Sequence, residues 1–252
     1  MLNRLRSASR RAFGHTPTPT ASEAAGFKPH RRRFQRYLVG RGIEIGALHN
    51  PMPVDTTRAT VRHVDRVPLE GQREHYPELI DVPLVPPDII ADADRLTMVE
   101  DNSEDFLIAN HLMEHLPDPI GALKEWHRVL KPGGILFLAL PDMRFTFDKD
   151  RPRTALAHLI ADHADRGSAS RLAHYEEYSR LVHGKAGDDL RNDVDQLLAR
   201  QYSIHFHVWV KEDIDELLNY LRDRGGLPWT ILEQMDTAPG DDEFIYVLKK
   251  AE

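Results

Sequence analysis

Residues 105–142 read DFLIANHLMEHLPDPIGALKEWHRVLKPGGILFLALPD, and this stretch decides the fold. Phe106 to Ala109 is an apolar run too short for a buried helix and suited to a strand covered on both faces. Asp118 is placed to cap a helix that starts at Pro119, where a missing N–H costs nothing. Ile120, Leu123, His127 and Leu130 share one helical face, and Lys131-Pro132-Gly133-Gly134 ends the helix. A second buried strand follows from Ile135 to Leu140. A strand–helix–strand unit of this length is a right-handed parallel crossover, and ligands in such sheets bind beyond the carboxyl ends of the strands. Asn110, His111, Pro141 and Asp142 therefore belong at the rim of a site.

The same stretch, with Glu114-His115 and then Arg128 to Gly134 in order, resembles the second half of a class I S-adenosylmethionine-dependent methyltransferase of the bacterial type 11 group. The resemblance implies an α/β fold: a Rossmann-like, mostly parallel sheet with an antiparallel last strand, here carrying an inserted helical cap. It covers about Gly42 to Lys249.

The rest of the chain can be set against that frame. Gly42-Ile43-Glu44-Ile45-Gly46 is a strand meeting a glycine turn, with Leu48 and Asn50 where the resemblance expects two further glycines. Asp65 closes a second strand 21 positions after Glu44, a distance at which an acid can accept both ribose hydroxyls of a nucleoside. Asp88 to Ala91 is a third strand, and the resemblance puts Asp92 and Ala93 against the adenine. The implied cofactor contacts are Glu44, Gly46, Ala47, Asp65, Asp92, Ala93 and Asn110, and the implied cofactor is S-adenosylmethionine. A short basic helix from Pro29 to Val39 is expected to cover it, as in related enzymes. Trp229–Leu232 and Phe244–Leu248 read as a closing antiparallel hairpin.

Residues 143–201 form the insertion, with helices expected over 154–166, 170–184 and 188–201. Insertions on a rigid scaffold are where substrate choice tends to be built. Arg144, Asp148, Tyr175, Tyr178 and Tyr202 are groups able to grip a polar acceptor. The alternative is a structural or dimerising cap, which leaves a homodimer open. After the insertion, Tyr202 to Trp209 alternates, which puts His205 and His207 on one face if the segment is extended.

Composition narrows the partners. The 252 residues include no cysteine, so disulfides, thiol catalysis and cysteine metal sites are excluded. No apolar run approaches the ~20 residues of a membrane span, and the expected address is the cytoplasm. Residues 1–42 carry ten Lys or Arg against the single acid Glu23, so the remainder of a chain of net charge −7 carries −16. Such a body is a poor match for a phosphate backbone, and nucleic acid is not expected as substrate. Residues 1–27 read as a flexible basic tail ahead of one methyltransferase domain over 28–252.

The expected reaction is in-line transfer of a methyl group from the sulfonium to a hydroxyl of a sugar or glycan. The chain resembles actinobacterial enzymes of polysaccharide synthesis, including those that methylate mannosides. A hydroxyl is a weak nucleophile, so a base is needed. The candidates are His205 or His207, with Asp142 orienting the ring, and then His111. Mg²⁺ or Mn²⁺ could assist, held by Asp142, His205 and His207. A lipid or secondary metabolite is the alternative acceptor. Outside the class stand a nucleotide-sugar oxidoreductase or epimerase, which would need a G-x-G-x-x-G turn, and a cofactor-binding protein without catalysis.

Overall fold

The computed structural model describes residues 28–251 apart from 77, 78 and 80. The expected tail, residues 1–27, lies outside the described residues. Strands β1 (Gly40–Ile45), β2 (Ala59–Asp65), β3 (Ile89–Ile90), β4 (Glu104–Asn110), β5 (Leu130–Pro141), β6 (Trp229–Met235) and β7 (Glu243–Lys250) form one sheet in the order β3-β2-β1-β4-β5-β7-β6. β1 to β5 run parallel, and β7 is antiparallel to both β5 and β6. This is the mostly parallel, Rossmann-like sheet with a reversed β7 that the methyltransferase reading requires.

Burial on both faces explains the near-continuous apolar strands. Along β4, Leu107 and Ala109 join one core while Phe106 and Ile108 join the other. Along β5, Leu136, Leu138 and Leu140 face the first, and Phe137 and Ala139 the second. The first face is covered by helix α2 (Pro119–Val129), through Ile120, Leu123 and Trp126, and by a later helix bringing Ile214, Leu217 and Leu221. Asp118 caps α2 by accepting from the Gly121 N–H at 2.8 Å, as its sequence position predicts. β5 begins at Leu130, earlier than expected, because Leu130 pairs with Glu104 ahead of a bulge. A shorter helix, α1 (Leu69–His75), follows β2.

The basic helix before β1 is a 3-10 helix, Pro29–Tyr37, and it does not cover the cofactor edge. Phe34 and Leu38 are fully buried in the second core, with the Phe34 ring 5.6 Å from that of Phe137. Its cations neutralise acids of the body: Arg31 binds Glu243 and Arg36 binds Glu233.

The insertion holds α3 (Leu156–Asp165), α4 (Arg171–Leu181) and α5 (Gly187–Ala199), and α6 (Lys211–Asp223) follows it. The inserted helices have a small core of their own, in which Tyr175, Tyr178, Val194 and Leu197 pack with Ile204 and Phe206. Among the described residues, no helix is long and apolar enough to cross a membrane.

Candidate active site

A cavity of about 380 Å³ opens at the carboxyl ends of β1 to β4. That volume lies in the range of small-molecule sites. Gly46, with φ +70°, turns the chain away from β1 and forms part of the floor. Two residues on, Leu48 adopts φ 48° and also lines the cavity. The left-handed backbone favoured by glycine is thus kept at a residue with a side chain, at a cost of roughly 1 kcal/mol.

Asp65 stands at the end of β2, its carboxylate accepting from the Val67 N–H at 3.2 Å and from Gln72 Nε2 at 2.8 Å. These bonds fix an acceptor-only group on the cavity wall. Asp92, Ala93 and Asp94 line the next edge. Burial, and then the Asp92 charge, push the Asp94 carboxyl up. Trp126 Nε1 donates to the Ala93 carbonyl at 2.9 Å and pins this loop to α2.

Glu44, Ala47 and Asn110 lie behind the lining. Glu44 accepts from the Met52 N–H at 2.8 Å and from Asn110 Nδ2 at 3.3 Å, so it braces the glycine turn from beneath. Burial pushes its carboxyl up to about 7.

The insertion supplies the far wall, where Tyr175 and Tyr202 were anticipated and Arg171, Gln201 and Ser203 were not. Tyr175 donates to the Tyr202 carbonyl at 2.8 Å, which ties α4 to the returning chain. Tyr178 is buried in the insertion's core.

His111 sits directly after β4 with φ 47° and lines the cavity. Its Nε2 lies 2.7 Å from Glu243 Oε2, and its Nδ1 lies 3.9 Å from Glu114 Oε1. Glu243, the first residue of β7, also takes Arg31 Nε at 2.8 Å and His30 Nε2 at 2.7 Å, with Lys28 Nζ at 3.2 Å. Burial pushes the Glu243 carboxyl up, but Arg31 and His111 outweigh it and hold the group well below the usual carboxylate range. Lys28 also binds Asp241 and Asp242. Beyond this network a shallow cleft is lined by Lys28, His30, Phe145, Asp241 and Asp242. Nothing in local periodicity marks Glu243, His30 or Arg31 as site residues; a run of acids ahead of a terminal strand was the only signal.

The other histidines are placed differently from the sequence expectation. His205 Nδ1 lies 2.6 Å from Asp148 Oδ2, and the His205 ring meets His115 edge to face rather than lining the cavity. The orienting carboxylate is therefore Asp148, itself held by Arg151 at 2.8 Å. Burial acts to raise the Asp148 carboxyl, yet His205 and Arg151 together keep it low. Asp142 instead accepts from Arg144 Nε at 2.8 Å and from Thr237 Oγ1 at 2.9 Å, and no histidine among the described residues pairs with it. His207 is fully buried and faces the inserted helices, its Nε2 3.4 Å from the Pro117 carbonyl. Asp142, His205 and His207 thus answer to three separate sets of partners and do not converge on one cation. The extended segment fails to align the two histidines because its backbone is not paired in the sheet: the Phe206 and His207 N–H groups both reach the Glu114 carbonyl.

Residues 40–138, from the start of β1 into β5, match the family model of a methyltransferase domain. Comparison with the curated proteins found no match. Among solved structures, a Rhodobacter sphaeroides protein provisionally named a zinc-dependent alcohol dehydrogenase is similar at 14% identity, 91% of this chain, 92% of that one and a TM-score of 0.53. NodS, an N-methyltransferase from Bradyrhizobium japonicum, is similar at 12% identity over the whole of both chains, with a TM-score of 0.41. The CurJ carbon methyltransferase is similar at 15% identity and a TM-score of 0.46; the match covers 86% of this chain and spans half of that one. Identities of this size speak to the fold alone. The match to a methyltransferase domain over residues 40–138 falls on the strands whose carboxyl ends line the cavity, and the strand order agrees with it.

Proposed function

We propose that the enzyme moves the methyl group of S-adenosylmethionine to a hydroxyl of a sugar or glycan, with His111 as the general base. The observation that carries this reading is the position of His111, on the cavity wall and hydrogen-bonded to Glu243 beside the second cleft. Gly46, Asp65, Asp92 and Ala93 would hold the cofactor, Asp65 by accepting from the ribose hydroxyls. The sulfonium supplies an electrophilic methyl group, so the chain's task is alignment and proton removal. Glu243 accepts from His111 Nε2–H, which leaves the Nδ1 lone pair for the acceptor's proton. The oxygen–methyl bond forms as the carbon–sulfur bond breaks, and S-adenosylhomocysteine leaves.

The cleft favours a polar acceptor. Phe145 is more than half exposed and lines the cleft, offering a face on which the apolar side of a sugar ring can stack, while Asp241 and Asp242 can accept from hydroxyls. Arg144, also exposed, stands next to them. No step is assigned to Mg²⁺ or Mn²⁺, because Lys28 and Arg31 already balance the carboxylates nearest the base.

The test is transfer of labelled methyl from S-adenosylmethionine to a panel of mannosides, other glycans and lipids. Label on a sugar oxygen, at a rate unchanged by added Mg²⁺ or Mn²⁺, is the expected result. Label confined to lipids, or to a nitrogen or carbon, overturns the acceptor assignment.

A further inference from the structure

We propose that His158, Asp162, His174 and His207 form a tetrahedral zinc(II) site that fastens the inserted helices to the returning chain. One ligand atom from each of the four falls within 4.8 Å of every other. His158 and Asp162 lie one turn apart on α3, His174 is on α4, and His207 comes from the segment after α5. Three separate pieces of chain are brought to one point.

The spacing is that of a coordination shell. With ligands at 2.0–2.1 Å, the edges of a zinc tetrahedron are about 3.3 Å. His158 Nε2 lies 3.1 Å from both His174 Nε2 and Asp162 Oδ2, and Asp162 Oδ2 lies 3.5 Å from His174 Nε2 and from His207 Nε2. The three ring centroids stand 5.0, 5.0 and 5.7 Å apart. Imidazoles bound to one zinc through Nε2 would put them about 5.2 Å apart.

Hydrogen bonding alone does not account for the group. Asp162 Oδ2 is buried and accepts no hydrogen bond of good geometry, although imidazole nitrogens stand 3.1–3.5 Å from it. A buried carboxylate oxygen in that condition is costly. The other carboxylate oxygen, Asp162 Oδ1, accepts from Ser170 Oγ at 2.6 Å, the outer support expected of a metal-bound carboxylate. All four positions are filled by protein and three of the residues are buried, which suits a structural rather than a catalytic ion. Its effect would be to hold α4, and with it Arg171 and Tyr175, against the cofactor cavity.

The test uses the full chain, purified without a polyhistidine tag or chelator. Elemental analysis should find about one zinc per chain, and Co²⁺ loaded in its place should give the intense visible absorption of a four-coordinate ion. Chelation should lower the melting temperature by about 5–10 °C, with recovery on adding Zn²⁺. His158→Gln, at the half-exposed edge of the cluster, should fold yet retain less than a tenth of the zinc. Zinc-free protein whose melting temperature ignores added Zn²⁺ would overturn the proposal. So would full zinc content in a folded His158→Gln, His174→Gln variant.

Discussion

Glu243 and Asp162, two buried carboxylates flanked by histidines, have their charge met in opposite ways. Glu243 is met by the cations Arg31 and Lys28 as well as by His30 and His111, so its charge is balanced by the chain itself. Asp162 is met by three imidazoles and a serine, and among the described residues no lysine or arginine pairs with it. The first arrangement fixes a histidine that remains reachable from the cavity. The second buries two of its three histidines and calls for a cation from outside. Histidine next to carboxylate therefore carries no single meaning; the charge count around the pair decides between a base and a metal ligand.

The sharpest way to break this comparison is to remove the reachable histidine. His111→Ala should lower kcat by about 10²–10⁴ while S-adenosylhomocysteine affinity stays within about twofold, as measured by steady-state kinetics and calorimetry. Equal losses in both would make His111 a cofactor residue instead. Next in size is Glu243→Gln, which leaves Arg31 buried beside a neutral partner. Urea unfolding should show a loss of about 3 kcal/mol, and a loss below 1 kcal/mol would mean the network is not needed for stability.

A third effect separates these carboxylates from Glu114, which has neither cation nor metal. Burial first, against the opposing pull of His205, pushes the Glu114 carboxyl up to about 7. Glu44 is raised to a similar value by burial. Between pH 4.5 and 7 the folded chain then keeps protons that the unfolded chain has shed. Stability is fully present below that window and declines as pH rises through about 7. For Glu114 alone the decline should be about 3 kcal/mol. Glu114→Gln should flatten the profile of melting temperature against pH, and an unchanged slope would refute the assignment. The smallest effect is expected at Leu48. Leu48→Gly relieves a left-handed backbone but loosens the unfolded chain, so stability should change by less than about 1 kcal/mol.

Much of the cavity's edge along the sheet was legible in the sequence. Asp65, Asp92 and His111 each follow an apolar strand, and a residue just past the carboxyl end of a parallel strand has nowhere to go but the ligand edge. The reversed hairpin of β6 and β7 was legible for the same reason, as two apolar runs about an acidic loop. What stayed hidden was convergence across distant segments. Asp142 looked like the partner of the base because it ends β5, yet Arg144, two residues on, takes it, and Asp148 reaches His205 instead. His30 and Arg31 fall in the expected basic helix and Lys28 just ahead of it, with no local signal that they would meet Glu243. Their use depends on Phe34 and Leu38 docking that arm on the sheet next to Glu243. His158 and Asp162 did carry a local signal, an i, i+4 pair on a helix, but its meaning required His174 and His207 to arrive from elsewhere.

The claim beneath all of this is that the cavity at the carboxyl ends of β1 to β4 holds S-adenosylmethionine with Asp65 on its ribose. Calorimetric titration of S-adenosylhomocysteine into the wild-type chain and into Asp65→Ala tests it most directly. The account predicts one site per chain, with affinity reduced about 10- to 100-fold in the variant, the cost of about one or two charge-assisted hydrogen bonds. Binding that is absent from the wild type, or untouched by the substitution, would contradict it.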